Sequence, residues 1–295
     1  MQGKIMKGIA GFFYVYIEGM GLYECKAKGI FRNRRIRPLV GDVVEIEILD
    51  EEEKEGNIVK LLPRSTELVR PAVANIDQAL VIFAAAKPKP NLSLLDRFLV
   101  MMDRQSIDVI ICFNKKDETS EEELERLGRI YAGCKSRLLF TSARYQEGIN
   151  ELKEMLLGHT TTVAGPSGVG KSTLINLLVP DACMQTGTIS EKIDRGKHTT
   201  RHSELFRMEA GSYIFDTPGF SSLEPGDMEK EKLRYSFPEF ERYEGSCRFQ
   251  GCVHMMEPGC AVKAAVSEGL ISQERYDSYM LLFRELYERE KRRYS

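Results

Sequence analysis

Eight consecutive residues in the middle of this chain restrict its possible folds more than any other feature. They are Gly165, Pro166, Ser167, Gly168, Val169, Gly170, Lys171 and Ser172. The pattern is the phosphate loop, whose glycines let backbone N–H groups converge on phosphate oxygens at the amino end of a helix. Residues 160–164 are predicted to form a strand, and residues 171–178 a helix, so the motif has the context that it requires. We therefore expect nucleotide binding here, with Thr173 in the first turn of the helix.

The segments before this loop alternate between strand-like and helix-like patterns. Strands are predicted at 79–85, 109–113 and 138–140, and helices at 92–102, 120–131 and 149–157. The run at 79–85 is continuously apolar, as in strands that are buried on both faces. Such alternation is typical of a doubly wound α/β domain with a mostly parallel sheet.

Two short motifs at the ends of predicted strands indicate which base is bound. The motif residues are Asn114, Lys115, Lys116 and Asp117, followed later by Ser142 and Ala143. Asp117 can accept hydrogen bonds from the guanine N1–H and exocyclic amine, whereas adenine would leave the carboxylate unpaired. Asn114 is expected to brace the loop, and the 142–143 backbone to offer N–H groups to the guanine carbonyl. The sequence therefore predicts a guanine nucleotide.

A third group of residues is predicted to respond to the γ-phosphate. Lys171 should neutralise phosphate charge and the Ser172 hydroxyl should ligate Mg²⁺. Asp216, in Asp-Thr-Pro-Gly after a predicted strand at 213–215, would hold Mg²⁺ through water, and the Gly219 amide would sense the γ-phosphate. Between these motifs, either Thr199 or Thr200 is the switch ligand for Mg²⁺, and the spacing does not decide between them.

Three of the seven cysteines and one histidine cluster near the carboxyl end, at Cys247, Cys252, His254 and Cys260. Four such ligands, with glycines and a proline supplying turns between them, suit a closed tetrahedral Zn²⁺ site. A full ligand set leaves no position for water, which indicates a structural site. The spacing departs from paired C-x2-C sites, so three ordinary thiols near a histidine are the alternative.

The first 65 residues have a different pattern, with short strands separated by turns that contain glycine. Strands at 12–17, 22–26 and 43–49 favour a small barrel of the OB type. Four arginines fall within six residues, at Arg32, Arg34, Arg35 and Arg37. Arginines in a loop of an OB barrel match how such barrels hold RNA, although a charge run is also common in solvated loops.

Composition limits the remaining possibilities. The formal net charge of −2 excludes a uniformly basic nucleic-acid binder but permits a local basic patch. An odd, modest cysteine count argues against a secreted disulfide scaffold. No apolar stretch approaches the roughly 18 to 20 residues of a membrane-spanning helix. We therefore expect a cytoplasmic protein with no membrane partner.

The order of the nucleotide motifs is unusual. The motifs resemble those of the translation-factor-like GTPases, but the base-reading residues at 114–117 and 142–143 precede the phosphate loop. Such a circular permutation preserves a sheet when the original chain ends lie close together. The segment after residue 219 then follows the switch directly.

Taken together, these motifs resemble the RsgA family of bacterial GTPases. The resemblance covers essentially the whole chain and includes Arg70-Pro71-x-Val73-Ala74-Asn75-Ile76-Asp77-Gln78 at the domain junction. It implies an OB-type RNA-binding domain at 1–65, a permuted GTPase domain at 66–222 and a zinc-binding domain at 223–295. It further implies a monomeric GTP hydrolase that binds the small ribosomal subunit and its rRNA, not DNA, and assists late maturation of that subunit.

Phe220 stands where many GTPases place the glutamine that orients the attacking water. Because phenylalanine cannot orient water, unassisted hydrolysis should be slow, on the order of 10⁻⁴ to 10⁻³ s⁻¹. Ribosome binding is expected to order the switch and to bring His198 to the water, unless His198 only packs within it. Two other functions compete: an ATPase or small-molecule kinase, which Asp117 opposes, and an RNA-binding switch with negligible turnover.

Overall fold

The computed structural model describes residues 1–28, 31, 37–69, 72–180, 204–216 and 228–293. The chain divides into two compact units, each assembled from segments that are distant in sequence. The first comprises Met1–Ala79, Ile149–Ala164 and Lys171–Phe220, and the second Leu80–Gly148, Gly165–Gly170 and Ser221–Ser295. The domain boundaries expected above stay a prediction.

Thirteen strands and six α-helices lie in the described part of the chain. The strands are β1 (Gln2–Ile9), β2 (Phe12–Ile17), β3 (Gly21–Ala27), β4 (Val43–Asp50), β5 (Glu55–Leu61), β6 (Glu67–Val69), β7 (Ala72–Ala74), β8 (Gln78–Ala84), β9 (Asp108–Asn114), β10 (Arg137–Phe140), β11 (Thr160–Ala164), β12 (Glu204–Arg207) and β13 (Tyr213–Asp216). The helices are α1 (Leu92–Asp103), α2 (Glu121–Tyr131), α3 (Ile149–Leu156), α4 (Lys171–Leu178), α5 (Ala261–Ser267) and α6 (Gln273–Arg293). Short 3-10 helices span Lys116–Glu118, Lys230–Ser236 and Pro238–Tyr243.

The first five strands form a closed barrel. The sheet runs β1-β2-β3-β5-β4, and β1 also pairs with β4, which closes the circle. All of these pairs are antiparallel except β3 and β5, which are parallel. Fully buried side chains fill the interior, among them Ile5, Val15, Tyr23, Val44 and Ile58. The expected OB-type barrel is confirmed, and its first strand begins at Gln2, before the strands singled out in the sequence.

A buried ion pair joins the barrel to the β6–β7 hairpin. The Asp42 carboxylate accepts hydrogen bonds from Arg64 Nε at 2.7 Å and Nη2 at 2.8 Å, and the Asp42 side chain is fully buried. Arg64 Nη2 also donates to the carbonyl of Arg37 at 2.8 Å. One arginine thus fixes both the hairpin and the point where the arginine-rich segment returns to the barrel.

The first unit extends the sheet from the barrel through β12 and β13 to β11. β11 and β13 are parallel, whereas β12 is antiparallel to both β13 and β1. β12 has no counterpart among the strands singled out in the sequence. It makes the sheet mixed on this side, within the mostly parallel arrangement that was expected.

In the second unit the strand order is β10-β9-β8, and β9 and β10 are parallel. Every residue of β8 is buried, as its continuous apolar run predicted. Ser120 caps α2 by accepting a hydrogen bond from the Glu123 amide at 3.3 Å, and the first turn carries three glutamates. Both features stabilise the amino end of a helix. The predicted strand and helix alternation is confirmed.

The C-terminal segment packs against α1, also within the second unit. Its core contains Phe237, Phe240, Tyr279 and Leu282, together with Val100 from α1.

Within the described residues, no helix is long and apolar enough to span a bilayer.

A buried charge cluster reinforces this packing. Arg275 is 2% exposed, and its guanidinium donates to Asp96 on α1 at 2.5 Å and to Glu239 at 2.6 and 3.1 Å. Burial raises the pKa of the Asp96 carboxyl, and the positive charge of Arg275 opposes that shift. Arg275 and Asp96 therefore each require the other, because either charge alone would be buried without an opposite charge.

Replacing Arg275 with Met tests this requirement. Arg275→Met should lower the free energy of unfolding by about 3 kcal/mol, because it leaves two buried carboxylates without their partner. Chemical denaturation followed by circular dichroism measures the change. Arg129→Met, which removes an exposed ion pair with Glu125, is the matched control and should cost less than about 0.5 kcal/mol. Equal effects of the two substitutions would contradict this account.

Candidate nucleotide site and cysteine cluster

The phosphate loop lies between β11 and α4, where the sequence placed it. Two of its glycines are required by close contacts within the second unit. Gly165 has φ +140°, and a Cβ there would lie 2.1 Å from the carbonyl oxygen of Ile82. Gly170 has φ +94°, and its Cβ would lie 2.4 Å from Asn114 Nδ2. No larger residue fits either position, since real Cβ atoms do not approach backbone oxygen or a fixed amide this closely.

Asn114 connects the base-reading loops to the phosphate loop. Its side chain is 1% exposed at the end of β9. Nδ2 donates to the Val169 carbonyl at 2.8 Å, while Oδ1 accepts from the Thr141 hydroxyl and the Ala143 amide, both at 3.1 Å. Its three hydrogen bonds therefore connect the end of β9 to two other segments, the phosphate loop and the loop that follows β10. The bracing role expected of Asn114 is the one its hydrogen bonds perform.

Asp117, the last residue of the first base-reading motif, is exposed, so a ligand can reach it. The Ser142 hydroxyl donates to Asp117 Oδ1 and accepts from the Tyr145 amide at 3.2 Å. Lys116 pairs with Glu147 at 2.8 Å, which ties the same two loops together at the surface. The carboxylate that would read the base is thus oriented before any ligand arrives.

The amides of Ser142 and Ala143 have partners within the protein. The Ser142 amide donates to the carbonyl of Glu147 at 3.0 Å, and the Ala143 amide donates to Asn114. Their expected contact with a guanine carbonyl stays a prediction.

Only some of the residues that are predicted to respond to the γ-phosphate lie in the described part of the chain. Asp216 ends β13, and its backbone pairs with Val163, two residues before Gly165. Lys171, Ser172 and Thr173 form the first turn of α4. His198, Thr199, Thr200, Gly219 and Phe220 lie outside the described residues, as do Arg32, Arg34 and Arg35.

The four predicted metal ligands converge in the second unit. Their ligand atoms, from Cys247, Cys252, His254 and Cys260, all lie within 4.8 Å of one another. The Cys247 and Cys260 sulfurs are 3.9 Å apart, close to the roughly 3.8 Å edge of a tetrahedral zinc–thiolate site. His254 Nδ1 lies 3.3 Å from the Cys260 sulfur and 3.7 Å from the Cys247 sulfur, so Nδ1 is the nitrogen that faces the cluster. The donor set and its dimensions fit Zn²⁺.

The surrounding residues hold this cluster in place. Tyr276 donates its hydroxyl to the His254 carbonyl at 2.6 Å, and the Phe240 ring packs edge-on against the imidazole. Burial raises the pKa of the Cys252 thiol to about 12 and lowers the pKa of His254. A neutral imidazole suits a metal ligand, while the thiols must release protons to a bound cation.

Three residues that the sequence analysis did not select also shape these sites. Thr141 and Glu147 brace the base-reading loops as described above. Glu257 accepts from the Val253 and Met255 amides, both at 2.8 Å, and so closes the turn that carries His254. Glu257 is the one acidic residue between Cys247 and Cys260. That feature of the sequence could have identified it as a residue that supports the cluster.

A phosphate loop braced by the asparagine of an Asn-Lys-x-Asp motif that precedes it in sequence defines a circularly permuted GTPase. Two family models match this chain and agree with that class. The model described as "RsgA GTPase" matches residues 61–225, and the model described as "RsgA N-terminal domain" matches residues 2–58. The chain belongs to the RsgA family and is a GTP hydrolase.

Individual relatives agree with this assignment. The Agathobacter rectalis protein named "Small ribosomal subunit biogenesis GTPase RsgA" is 58% identical, over 99% of this chain and 100% of its own. The protein of the same name from Alkaliphilus metalliredigens is 47% identical, over 99% of both chains. Among solved structures, YjeQ from Thermotoga maritima is 35% identical with a TM-score of 0.82, covering 97% of this chain and 98% of its own. YloQ, a circularly permuted GTPase, is 37% identical with a TM-score of 0.79, covering 98% and 95%.

The bracing role of Asn114 predicts the rate of nucleotide release. Asn114→Ala removes three hydrogen bonds, and at roughly 1 kcal/mol each we expect GDP to dissociate at least about tenfold faster. Release of a fluorescent GDP analogue measures the rate. Thr141→Val removes one of the three bonds and should accelerate release only about two- to fivefold. If the two variants release GDP equally fast, Asn114 is not the central brace.

Proposed function

We propose that this GTPase binds the small ribosomal subunit and its rRNA, assists late maturation of that subunit, and leaves after hydrolysing GTP to GDP and phosphate. The observation that carries the proposal is full-length similarity to relatives named for small ribosomal subunit biogenesis, joined to the Asn114 brace that assembles the nucleotide site. The protein acts as a cytoplasmic monomer and has neither DNA nor a membrane as a partner.

Each proposed domain has a part in this cycle. Residues 1–65 contact rRNA through the barrel and the arginines at 32–37, residues 66–222 hold the nucleotide, and residues 223–295 add a second rRNA contact. The anchoring of Arg37 by Arg64 supports the first contact, because it fixes one end of the arginine-rich segment to the barrel. Guanidinium groups suit phosphate recognition because their donors form a planar fork.

The nucleotide site works by positioning and charge. The backbone N–H groups of the phosphate loop, except at Pro166, and the ammonium of Lys171 would donate to the β- and γ-phosphates. The Ser172 hydroxyl, either Thr199 or Thr200, and, through water, Asp216 would hold Mg²⁺, which would neutralise phosphate charge. Asn114, Lys115, Lys116, Asp117, Ser142 and Ala143 form the guanine pocket.

Hydrolysis itself depends on the subunit. Phe220 cannot orient the attacking water, so the isolated protein turns over slowly. Binding to the subunit orders the switch that contains Thr199, Thr200 and Gly219. We assign contact with the attacking water to His198, and full subunit-stimulated turnover in His198→Ala would contradict that assignment.

Phosphate release in the presence and absence of purified small subunits tests the proposal directly. We expect at least about tenfold stimulation, equivalent to a barrier lower by about 1.4 kcal/mol. Large subunits serve as the control for general RNA effects and should not stimulate. An unchanged rate would overturn the mechanism, and undetectable turnover under both conditions would favour an RNA-binding switch without catalysis.

We further propose that Cys247, Cys252, His254 and Cys260 bind one structural Zn²⁺. Cys260→Ser should reduce the zinc content measured by atomic emission from about one ion per chain to near zero. It should also destabilise the C-terminal segment, because a structural zinc site contributes directly to folding. Cys134→Ser, outside the cluster, should retain the ion. If wild-type protein produced in zinc-containing medium holds no zinc after purification, the assignment is wrong.

A further inference from the structure

β12, in the first unit, lies in sequence between the two motifs that are proposed to respond to the γ-phosphate. It begins four residues after Thr200, and the chain passes from it through β13 to Asp216. Glu204 lies directly opposite Asp216 in the antiparallel β12–β13 register, and Arg207 lies opposite Tyr213. The hairpin therefore links the two motifs that are proposed to respond to the γ-phosphate.

The barrel reaches this hairpin through its first two strands. Lys7 on β1 is the register partner of Glu204, and its Nζ lies 3.0 Å from the Glu204 carboxylate. At the other end of β12, Arg207 places its guanidinium 4.7 Å from the centre of the Tyr16 ring and pairs with Glu18 at 2.9 Å. Both ends of the strand are therefore held by side chains of the barrel.

A local irregularity in β1 contributes to this contact. The β1–β2 register shifts between Ile5 and Lys7, which is the signature of a β-bulge. Bulges commonly re-aim a side chain and occur next to functional sites. Lys4, on the other side of the bulge, donates to the Thr160 hydroxyl at 2.9 Å and lies over the Tyr213 ring at 4.2 Å. Two lysines of one strand thus contact three strands of the sheet.

We propose that Lys7 and Arg207 are positioning residues for subunit-stimulated GTP hydrolysis only, through which the barrel, when it holds rRNA, sets the position of the strand between the two switch motifs. The inference rests on the proposed function, because it concerns how subunit binding accelerates turnover. A shift of β1 relative to β12 is transmitted across a single strand to the backbone of Asp216. The barrel is then part of the activating machinery as well as an RNA anchor.

The test compares the basal and the subunit-stimulated GTPase rate of Lys7→Met. The Lys7–Glu204 ion pair is partly buried, and a surface pair of this kind changes an equilibrium by up to about fivefold, so the stimulated rate should fall about three- to fivefold while the basal rate is unchanged. Lys153→Met is the matched control. It removes a similar ion pair, to Glu209 in the turn after β12, that does not involve the barrel, and it should leave both rates unchanged.

The charge exchange Lys7→Glu with Glu204→Lys separates coupling from direct RNA contact. If the pair acts as proposed, the exchange restores the stimulated rate to within about twofold of wild type. If Lys7 instead touches rRNA, the exchange weakens subunit binding further and the proposal is overturned. Arg207→Met provides a second variant at the other end of the strand and should give the same selective loss.

The remaining outcomes are also decisive. Equal losses of basal and stimulated rate in Lys7→Met would indicate a structural role and overturn the inference. A wild-type stimulated rate in Lys7→Met would leave the proposed function intact and remove the coupling. Absence of stimulation in the wild-type protein would remove the proposed function itself, and the inference with it.

Discussion

The side-chain amide of Asn114 is the interaction on which the nucleotide site depends. The base-reading loops are separated from the phosphate loop in sequence by α3 and β11, so no short connection holds them together. A buried amide with one donor on Val169 and one acceptor shared by Thr141 and Ala143 supplies that connection. Buried polar groups of this kind are costly when unsatisfied, which makes the bonded arrangement strongly favoured. Gly170 is glycine because this amide occupies the space of a side chain.

The C-terminal segment is held in place by a different kind of interaction, a buried charge cluster beside an aromatic core. Its aromatic core is small, and the Arg275 cluster adds little net stability over an apolar core, since buried ion pairs carry a large desolvation cost. What the charges add is specificity: Arg275 fits only where Asp96 and Glu239 meet it. The segment therefore packs on α1 in one register, and the cysteine cluster fixes the loop beyond it. α1, the base-reading loops and the cysteine cluster all belong to the second unit.

Much of this architecture was predictable because it rests on local patterns. The barrel strands, the α/β alternation, the phosphate loop and the convergence of Cys247, Cys252, His254 and Cys260 all follow from periodicity and motif spacing. Contacts between distant segments were not predictable in the same way. β12 was not predicted because its four residues, Glu204 to Arg207, include only two apolar ones, whereas the equally short β10 and β13 each contain an apolar run of three. The ion pairs of Asp42 with Arg64 and of Asp96 with Arg275 join residues whose types are common throughout the chain, so only the fold distinguishes them.

The barrel also protects the edge of the sheet in the first unit, because β1 lies next to β12. In the first unit, β12 would be an edge strand if β1 were absent, and exposed edges favour unwanted pairing. β1 covers that edge, but the backbone register between them is the single pair of Lys7 with Glu204, and side chains provide the other contacts. A long ladder would lock the two strands into one arrangement. A contact of one backbone pair, supplemented by side-chain contacts such as the Lys7–Glu204 and Arg207–Glu18 ion pairs, covers the edge without such a ladder, as the proposed coupling of the barrel to the switch requires.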